Sequence, residues 1–377
     1  MAPLTIGKHT VPHPLIQGGM GVRISGGNLA GHVARCGGVG LIATAGLGLD
    51  VPGFDGRNLY EADQDGLREE LRKAFAIAPN GVIGVNAMVA VSDYEQQIHT
   101  ACEAGAKLIV SGAGLPLSLP GLTAEFPDVA LVPIVSSVKA AELIARKWHK
   151  RYQRLPDAVV VEDPDTAGGH LGEKFENIGT GEYDQYATVR GVKAYFREAW
   201  DLDIPVIAAG GVWDRLDLEY ALAQGADGVQ MASRFVCTEE CDADPAFKQA
   251  YLECREEDIG LLMSPAGLPG RAILPNTPMI RQRDLEVDQK CGLACLKKCT
   301  YRTNNERFCV VRALDRAQRG DVQTGLVFCG SNAWKADHIT TVQAIFQELF
   351  APAAREVSTT SRPAVGRGKP VSCAAPA

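Results

Sequence analysis

The side chains best suited to chemistry in this 377-residue chain stand beside glycines. His170 follows Gly168 and Gly169 in Ala167-Gly168-Gly169-His170-Leu171-Gly172, just after the apolar run Ala158-Val159-Val160-Val161. Imidazole is the side chain best matched to moving a proton near neutral pH. None of His9, His13, His32, His99, His149 and His338 has a comparable setting. Two further segments resemble cradles for an anion. Gly210-Gly211 follow Ile204-Pro205-Val206-Ile207-Ala208-Ala209, and Met231-Ala232-Ser233 end the run that opens at Gly225. Adjacent glycines let backbone N–H groups approach an anion closely. The Ser233 hydroxyl adds a donor, and a helix beginning there would add its dipole. A phosphorylated cofactor beside an acid/base histidine is the chemistry these segments suggest.

Cysteines form a second constellation. Cys291, Cys295 and Cys299 recur every four residues, and Cys309 follows ten later. On an α-helix the first three would share one stripe. With Cys309 from a following loop they could surround a [4Fe-4S] cluster or a tetrahedral zinc. Lys297, Lys298, Arg302 and Arg307 would offset the thiolate charge, and Cys329 is a substitute ligand. The spacing matches neither common zinc fingers nor common ferredoxins. The alternative is that these thiols are simply buried apolar groups. Cys237 and Cys241 read as packing residues.

The elements that must position these groups alternate strictly. Apolar runs at Pro14–Gln17, Val39–Thr44, Val82–Asn86, Leu108–Ser111 and Leu131–Ser136 are each followed by a helix-period stretch. The three glycine-ended runs bring the strand count to eight. Strict βα alternation implies a parallel sheet with right-handed crossovers, and eight units imply a closed (β/α)8 TIM barrel. In such a barrel the active site lies at the loops after the strands. Residues 1–245 are therefore read as the barrel and 246–350 as a helical, cysteine-rich C-terminal extension. Residues 351–377 read as a disordered tail, because they have no periodic apolar face.

Composition bounds the function. The chain is 46% hydrophobic and 22% charged, with a net charge of -7, so neither nucleic acid nor an anionic membrane is an expected partner. No run reaches the roughly 18 apolar residues of a membrane span, and the N-terminus lacks a signal-peptide pattern. A cytoplasmic location follows as an expectation, with a small-molecule substrate. Homo-oligomerisation is left open.

Ala167 to Gly172, Gly210-Gly211 and Gly225 to Phe235 together resemble the FMN-dependent nitronate monooxygenases, once called 2-nitropropane dioxygenases, and the related flavin-dependent enoyl-acyl-carrier-protein reductases. Pro14 to Met20, Gly84-Val85-Asn86 and Val135 to Lys139 are similar to that family's first, third and fifth strands. The resemblance spans about residues 8 to 270. It implies that Gln17, Gly18 and Met20 lie under the flavin ring, and that Asn86 and Lys139 hydrogen-bond its polar edge. It further implies that Gly169, Gly210, Gly211, Ala232 and Ser233 hold the FMN phosphate, with His170 as the acid/base. The expected activity is oxidation of nitronates or nitroalkanes with O₂. The alternative is reduction of an enoyl thioester by NAD(P)H, which an iron–sulfur cluster would favour. A non-catalytic scaffold on the same barrel is the remaining class, and intact His170 and phosphate glycines count against it.

Overall fold

Eight short parallel strands close into a barrel in the computed structural model, which describes residues 1–274, 291–304 and 308–351. An N-terminal hairpin, β1 (Leu4–Ile6) and β2 (His9–Val11), precedes them. The barrel strands are β3 (Leu15–Gln17), β4 (Val39–Ala43), β5 (Val82–Met88), β6 (Leu108–Gly112), β7 (Ala130–Val135), β8 (Val159–Glu162), β10 (Val206–Ala209) and β11 (Gly228–Met231). The register of β11 on β3, Val229 opposite Leu15, closes the ring. These strands are apolar on both faces because each is covered twice, by the barrel interior and by a helix outside. Ile16, Leu41, Val110, Val132, Val160 and Ile207 fill the interior, and Leu4, Ile6 and Val11 of the hairpin plug its lower end.

Helices follow the strands as the alternation requires: α1 (Gly27–Arg35), α2 (Leu59–Ile77), α3 (Tyr94–Glu103), α4 (Leu119–Leu122), α5 (Val138–Tyr152), α6 (Gln185–Trp200) and α7 (Arg215–Ala223). Their starts are set by local chemistry. Ser137 caps α5 by accepting from the Ala140 N–H, and Asp214 and Asp217 form a reciprocal capping box on α7. Helix α1 begins after Gly26, which has no side chain to cap it. Asp242 substitutes, accepting from the N–H groups of Gly26 and Leu29 at 2.9 and 3.2 Å.

The C-terminal extension contains sheet as well as helix. After α8 (Pro245–Leu252) come β12 (Ile259–Met263) and β13 (Pro269–Ile273), an antiparallel hairpin. The two-residue strand β9 (Gly169–His170), in the loop after β8, pairs with β13 as a third strand. Then follow α9 (Thr300–Asn304), α10 (Val310–Gln318) and α11 (Val342–Phe350). One apolar core runs from Leu15 in β3 to Leu349 in α11. Among the described residues no helix is long and apolar enough to cross a membrane. The expected disordered tail lies, beyond Ala351, outside the described residues.

The helical stripe expected for Cys291, Cys295 and Cys299 does not form. Residues 291–299 run as an irregular strap across the barrel loop at 90–92, and helix begins only at Thr300. The backbone groups a helix would use are committed elsewhere. Ser92 N–H donates to Cys295 O at 2.9 Å, and Lys297 N–H donates to Ala90 O at 2.9 Å. Leu296 bridges Val91 antiparallel, and Ala294 turns through φ 47°. Gly292, a poor helix former, adds to the preference.

The closest backbone approach between layers lies at Gly40 in β4. A Cβ there would stand 2.0 Å from the Ala30 carbonyl oxygen of α1. Gly40→Ala is expected to cost about 1–3 kcal/mol, as overpacking does. Gly292→Ala, which meets nothing within 4 Å, should stay within about 0.5 kcal/mol. Urea midpoints of the two variants test the contrast.

Candidate active site

A cavity opens at the C-terminal ends of the barrel strands. Gly19, Met20, Asn86, Gly168, Gly169, His170, Ala232 and Ser233 all line it. Residues from seven of the eight strand ends and their loops are thus gathered where parallel barrels carry their sites, while Gly210 and Gly211 after β10 lie outside the lining. The extension roofs it with Val310, Val311, Leu326 and Phe328.

His170 is held from two sides. Its Nε2 lies 2.8 Å from Ser264 Oγ, and its ring meets Phe328 edge-on at 5.2 Å. Ser264 Oγ already accepts from the Ala266 N–H. A neutral ring that donates Nε2–H to this oxygen keeps Nδ1 as its acceptor. Burial depresses the imidazolium, pulling its pKa down to about 4. The ring is therefore neutral at pH 7. Arg271 of β13, 6% exposed, fixes the loop that carries it by donating to the carbonyls of Ala167 and Pro164.

The glycines meet geometric demands that other residues would fail. Gly169, Gly210 and Gly211 have φ of 71°, 104° and 72°, in the region that favours glycine. A Cβ at Gly168 would come within 2.5 Å of the Gly330 nitrogen, and one at Gly19 within 2.3 Å of the Asn86 Cβ. Ser233 sits at the start of a short 3₁₀ turn, and its Oγ accepts from the Gly330 N–H at 2.8 Å. Asn332 Nδ2 donates to Gly211 O at 2.6 Å. The segment Cys329 to Asn332 thus joins the loops after β10 and β11.

Carboxyl groups enter the cavity as well. Glu162, at the end of β8, is pushed up to about 7, by burial first and by Asp163 second. Asp63 is likewise raised to about 7, chiefly by burial, although the Gly48 N–H bond at 2.6 Å opposes the shift. Asp93 is raised by burial and accepts from Gln97 Nε2 at 2.9 Å. Gln230 Oε1 is buried and has no hydrogen-bond partner among the described residues.

Other nominated residues lie elsewhere. Gln17 is fully buried and spends its amide on Gly18 O and the Leu41 N–H. Gly18 N–H donates to Met231 O at 2.9 Å, beneath the cavity floor. Lys139 is exposed on the first turn of α5 and is not among the cavity-lining residues. Cys295 lines the cavity, and its thiol is pushed up to about 12, first by burial and then by its cysteine neighbours. Among the described residues no group of three or more His, Cys, Asp or Glu closes around a single metal ion. Cys237 and Cys241 are buried, with Sγ facing the carbonyls of Lys248 and Ile24.

Sequence reasoning missed Ser264, Arg271, Gly330 and Asn332. A usable signal existed for one of them. Gly330 follows the apolar run Leu326-Val327-Phe328, the same run-then-glycine pattern that marked the other loops. Arg271 and Ser264 carry no local signature, because their role arises from pairing across about a hundred residues of chain.

The sequence pattern described as nitronate monooxygenase matches residues 2–91 and 60–351. A relative from Rhodococcus jostii is 27% identical over 270 residues, 72% of this chain and 64% of its own length. It is named (3aS,4S,5R,7aS)-5-hydroxy-7a-methyl-1-oxo-octahydro-1H-indene-4-carboxyl-CoA dehydrogenase. The chain therefore aligns with a little under two thirds of that relative. A probable nitronate monooxygenase of Bacillus subtilis is 37% identical over 123 residues, 32% of this chain and 33% of that one. Among solved structures, FabK of Thermotoga maritima superposes with a TM-score of 0.67 at 25% identity, covering 90% of this chain and 92% of its own. Nitroalkane oxidase of Streptomyces ansochromogenes gives 0.66 at 19% identity, covering 90% and 95%.

Replacing Arg271 by leucine would leave the Ala167 and Pro164 carbonyls unpaired in a buried loop. A loss of about 1–3 kcal/mol is expected from hydrogen bonds to a charged donor. The urea midpoint should fall while the m-value stays unchanged. An unshifted midpoint would remove Arg271 from this role.

Proposed function

We propose that this chain, which belongs to the nitronate monooxygenase family, is an FMN-dependent oxidoreductase that oxidises nitronates or nitroalkanes with O₂. The observation that carries the reading is the meeting of the Gly168-Gly169 and Ala232-Ser233 loops with His170 at one cavity, with Gly210 and Gly211 packed against Thr166 of the first loop. The residues present fit FMN. Gly169, Gly210, Gly211, Ala232 and Ser233 would hold its phosphate, with Gly330 and Asn332 bracing the loops. Gln230 Oε1, without a partner among the described residues, is a buried acceptor that a bound group could satisfy. Met20 and Asn86 face the cavity beside Gly19. Lys139, exposed on α5, is left out of this set.

When bound, FMN supplies the redox chemistry, and the protein supplies binding and proton control. His170, neutral above about pH 5, accepts the α-proton of a nitroalkane at Nδ1 while Nε2–H stays on Ser264. Phe328 and the apolar roof keep water from the ring. Glu162 exchanges its proton near neutral pH, within the same cavity.

The purified protein is expected to release FMN on heating. His170→Ala should retain the flavin but lose about 10²–10⁴ in kcat on nitroalkane. Because burial lowers the His170 pKa to about 4, the ring protonates, and activity falls, only as pH drops through about 4. The ordinary histidine limb near 6.5 should be absent. An acid limb near 6.5, or full turnover by His170→Ala, would assign proton transfer to another group. In parallel assays with O₂ and with NAD(P)H plus an enoyl thioester, turnover confined to the second would transfer the assignment to the reductase.

A further inference from the structure

We propose that Cys291, Cys295, Cys299 and Cys309 hold a [4Fe-4S] cluster set into the wall of the substrate cavity. The four cysteines come from two segments that meet there. The strap 291–299 is tied to the barrel loop by the bonds of Ser92 and Lys297 to Cys295 O and Ala90 O, and by Ser92 Oγ donating to Ala294 O at 2.7 Å. Cys309 is the residue from which α10 starts. Cys295 and Leu296 share the cavity wall with Val310 and Val311, so the strap and the start of α10 lie against one another. Cys291, Cys299 and Cys309 are all within electrostatic reach of Cys295, and Cys291 and Cys299 are within reach of Cys309. All four are free thiols.

A cluster suits four cysteines from two segments better than a single ion does. Zinc needs four donors on one centre at roughly 2.3 Å for sulfur, and no three donors close in that way among the described residues. A cubane takes one thiolate on each of four irons, so its sulfurs stand apart around the cluster. Charge is also provided for. Lys297 and Arg302 keep their cationic ends on the strap, donating to the carbonyls of Val89, Leu296 and Lys297. Arg312 acts on Cys309 from the first turn of α10. These cations would balance four thiolates. The strap itself has no regular secondary structure from 291 to 295. A cluster ligated from both segments would fasten the strap to the start of α10. On ligation each thiol gives its proton to water and forms one S–Fe bond, with no change in oxidation state.

The test counts iron, acid-labile sulfide, zinc and flavin per chain in the full-length protein purified without oxygen, then after anaerobic reconstitution with iron and sulfide. About four irons and four sulfides per chain are expected. Dithionite should also give an electron paramagnetic resonance signal that flavin cannot supply. Cys291→Ser should lose most of the iron, whereas Cys102→Ser, buried under α3, should keep it. If Cys291→Ser does not fold, the wild-type counts decide alone. One zinc per chain, disulfides among these cysteines, or no iron after reconstitution would overturn the proposal. Flavin is counted separately, so loss of the cluster assignment leaves the FMN reading standing, and the reverse.

Discussion

The pairing of β9 with β13 is the contact on which the site depends. Gly270 lies opposite His170 and Arg271 opposite Gly169. Without that pairing, the loop after β8 would carry its histidine on glycines alone, the residues that lose most conformational freedom on ordering. The sheet supplies the missing restraint, and Arg271 secures the same loop from beneath through Ala167 and Pro164. The barrel therefore brings His170 to the cavity, but the extension fixes its orientation. Ser264 and Phe328, the two groups that touch the ring, both come from the extension.

The same division of labour governs the loops proposed to hold the FMN phosphate. Barrel strands deliver Gly210, Gly211 and Ser233, whereas Gly330 and Asn332 lock them together. Gly168 packs so closely on Cys329 and Gly330 that a side chain would separate the two layers. Tyr251 of α8 donates to Phe328 O at 2.7 Å, holding the roof to the rest of the extension. Loops with positive φ gain rigidity from such cross-bonding instead of from their own backbone, and a rigid cradle binds without first paying to order itself.

Much of the fold was legible because it is local. Apolar runs of four to seven residues with helix-period stretches between them repeat eight times, and each became a barrel strand. His170 and the glycine loops were legible for the same reason, since each follows its strand directly. What could not be read were contacts made across sequence. The hairpin of β12 and β13 recruits β9 from about a hundred residues away, and nothing near Arg271 announces its partners. The cysteine strap failed differently. Spacing of four suits a helix, yet Leu296 found a strand partner in Val91, so tertiary pairing overrode the period. Lys139, expected from likeness to the family, is exposed on α5 and does not line the cavity.

The cavity is far less charged than the chain around it. The protein carries a net charge of -7, and Glu162, Asp63 and Asp93 all face or border the cavity. Ionised together, they would repel an anion such as a nitronate. Burial instead raises Glu162 and Asp63 to about 7 and raises Asp93 as well, so each holds its proton further toward neutrality than a surface carboxyl does. The same low-polarity setting keeps His170 neutral by lowering its pKa. One physical cause, desolvation by the roof and barrel, moves acids up and base down, so that a neutral His170 coexists near pH 7 with partly protonated Glu162 and Asp63. An uncharged acceptor and protonated carboxyls are the state in which an anion can enter and a carbon acid can lose its proton. The roof from the extension is thus an electrostatic component of the proposed chemistry as well as a cover.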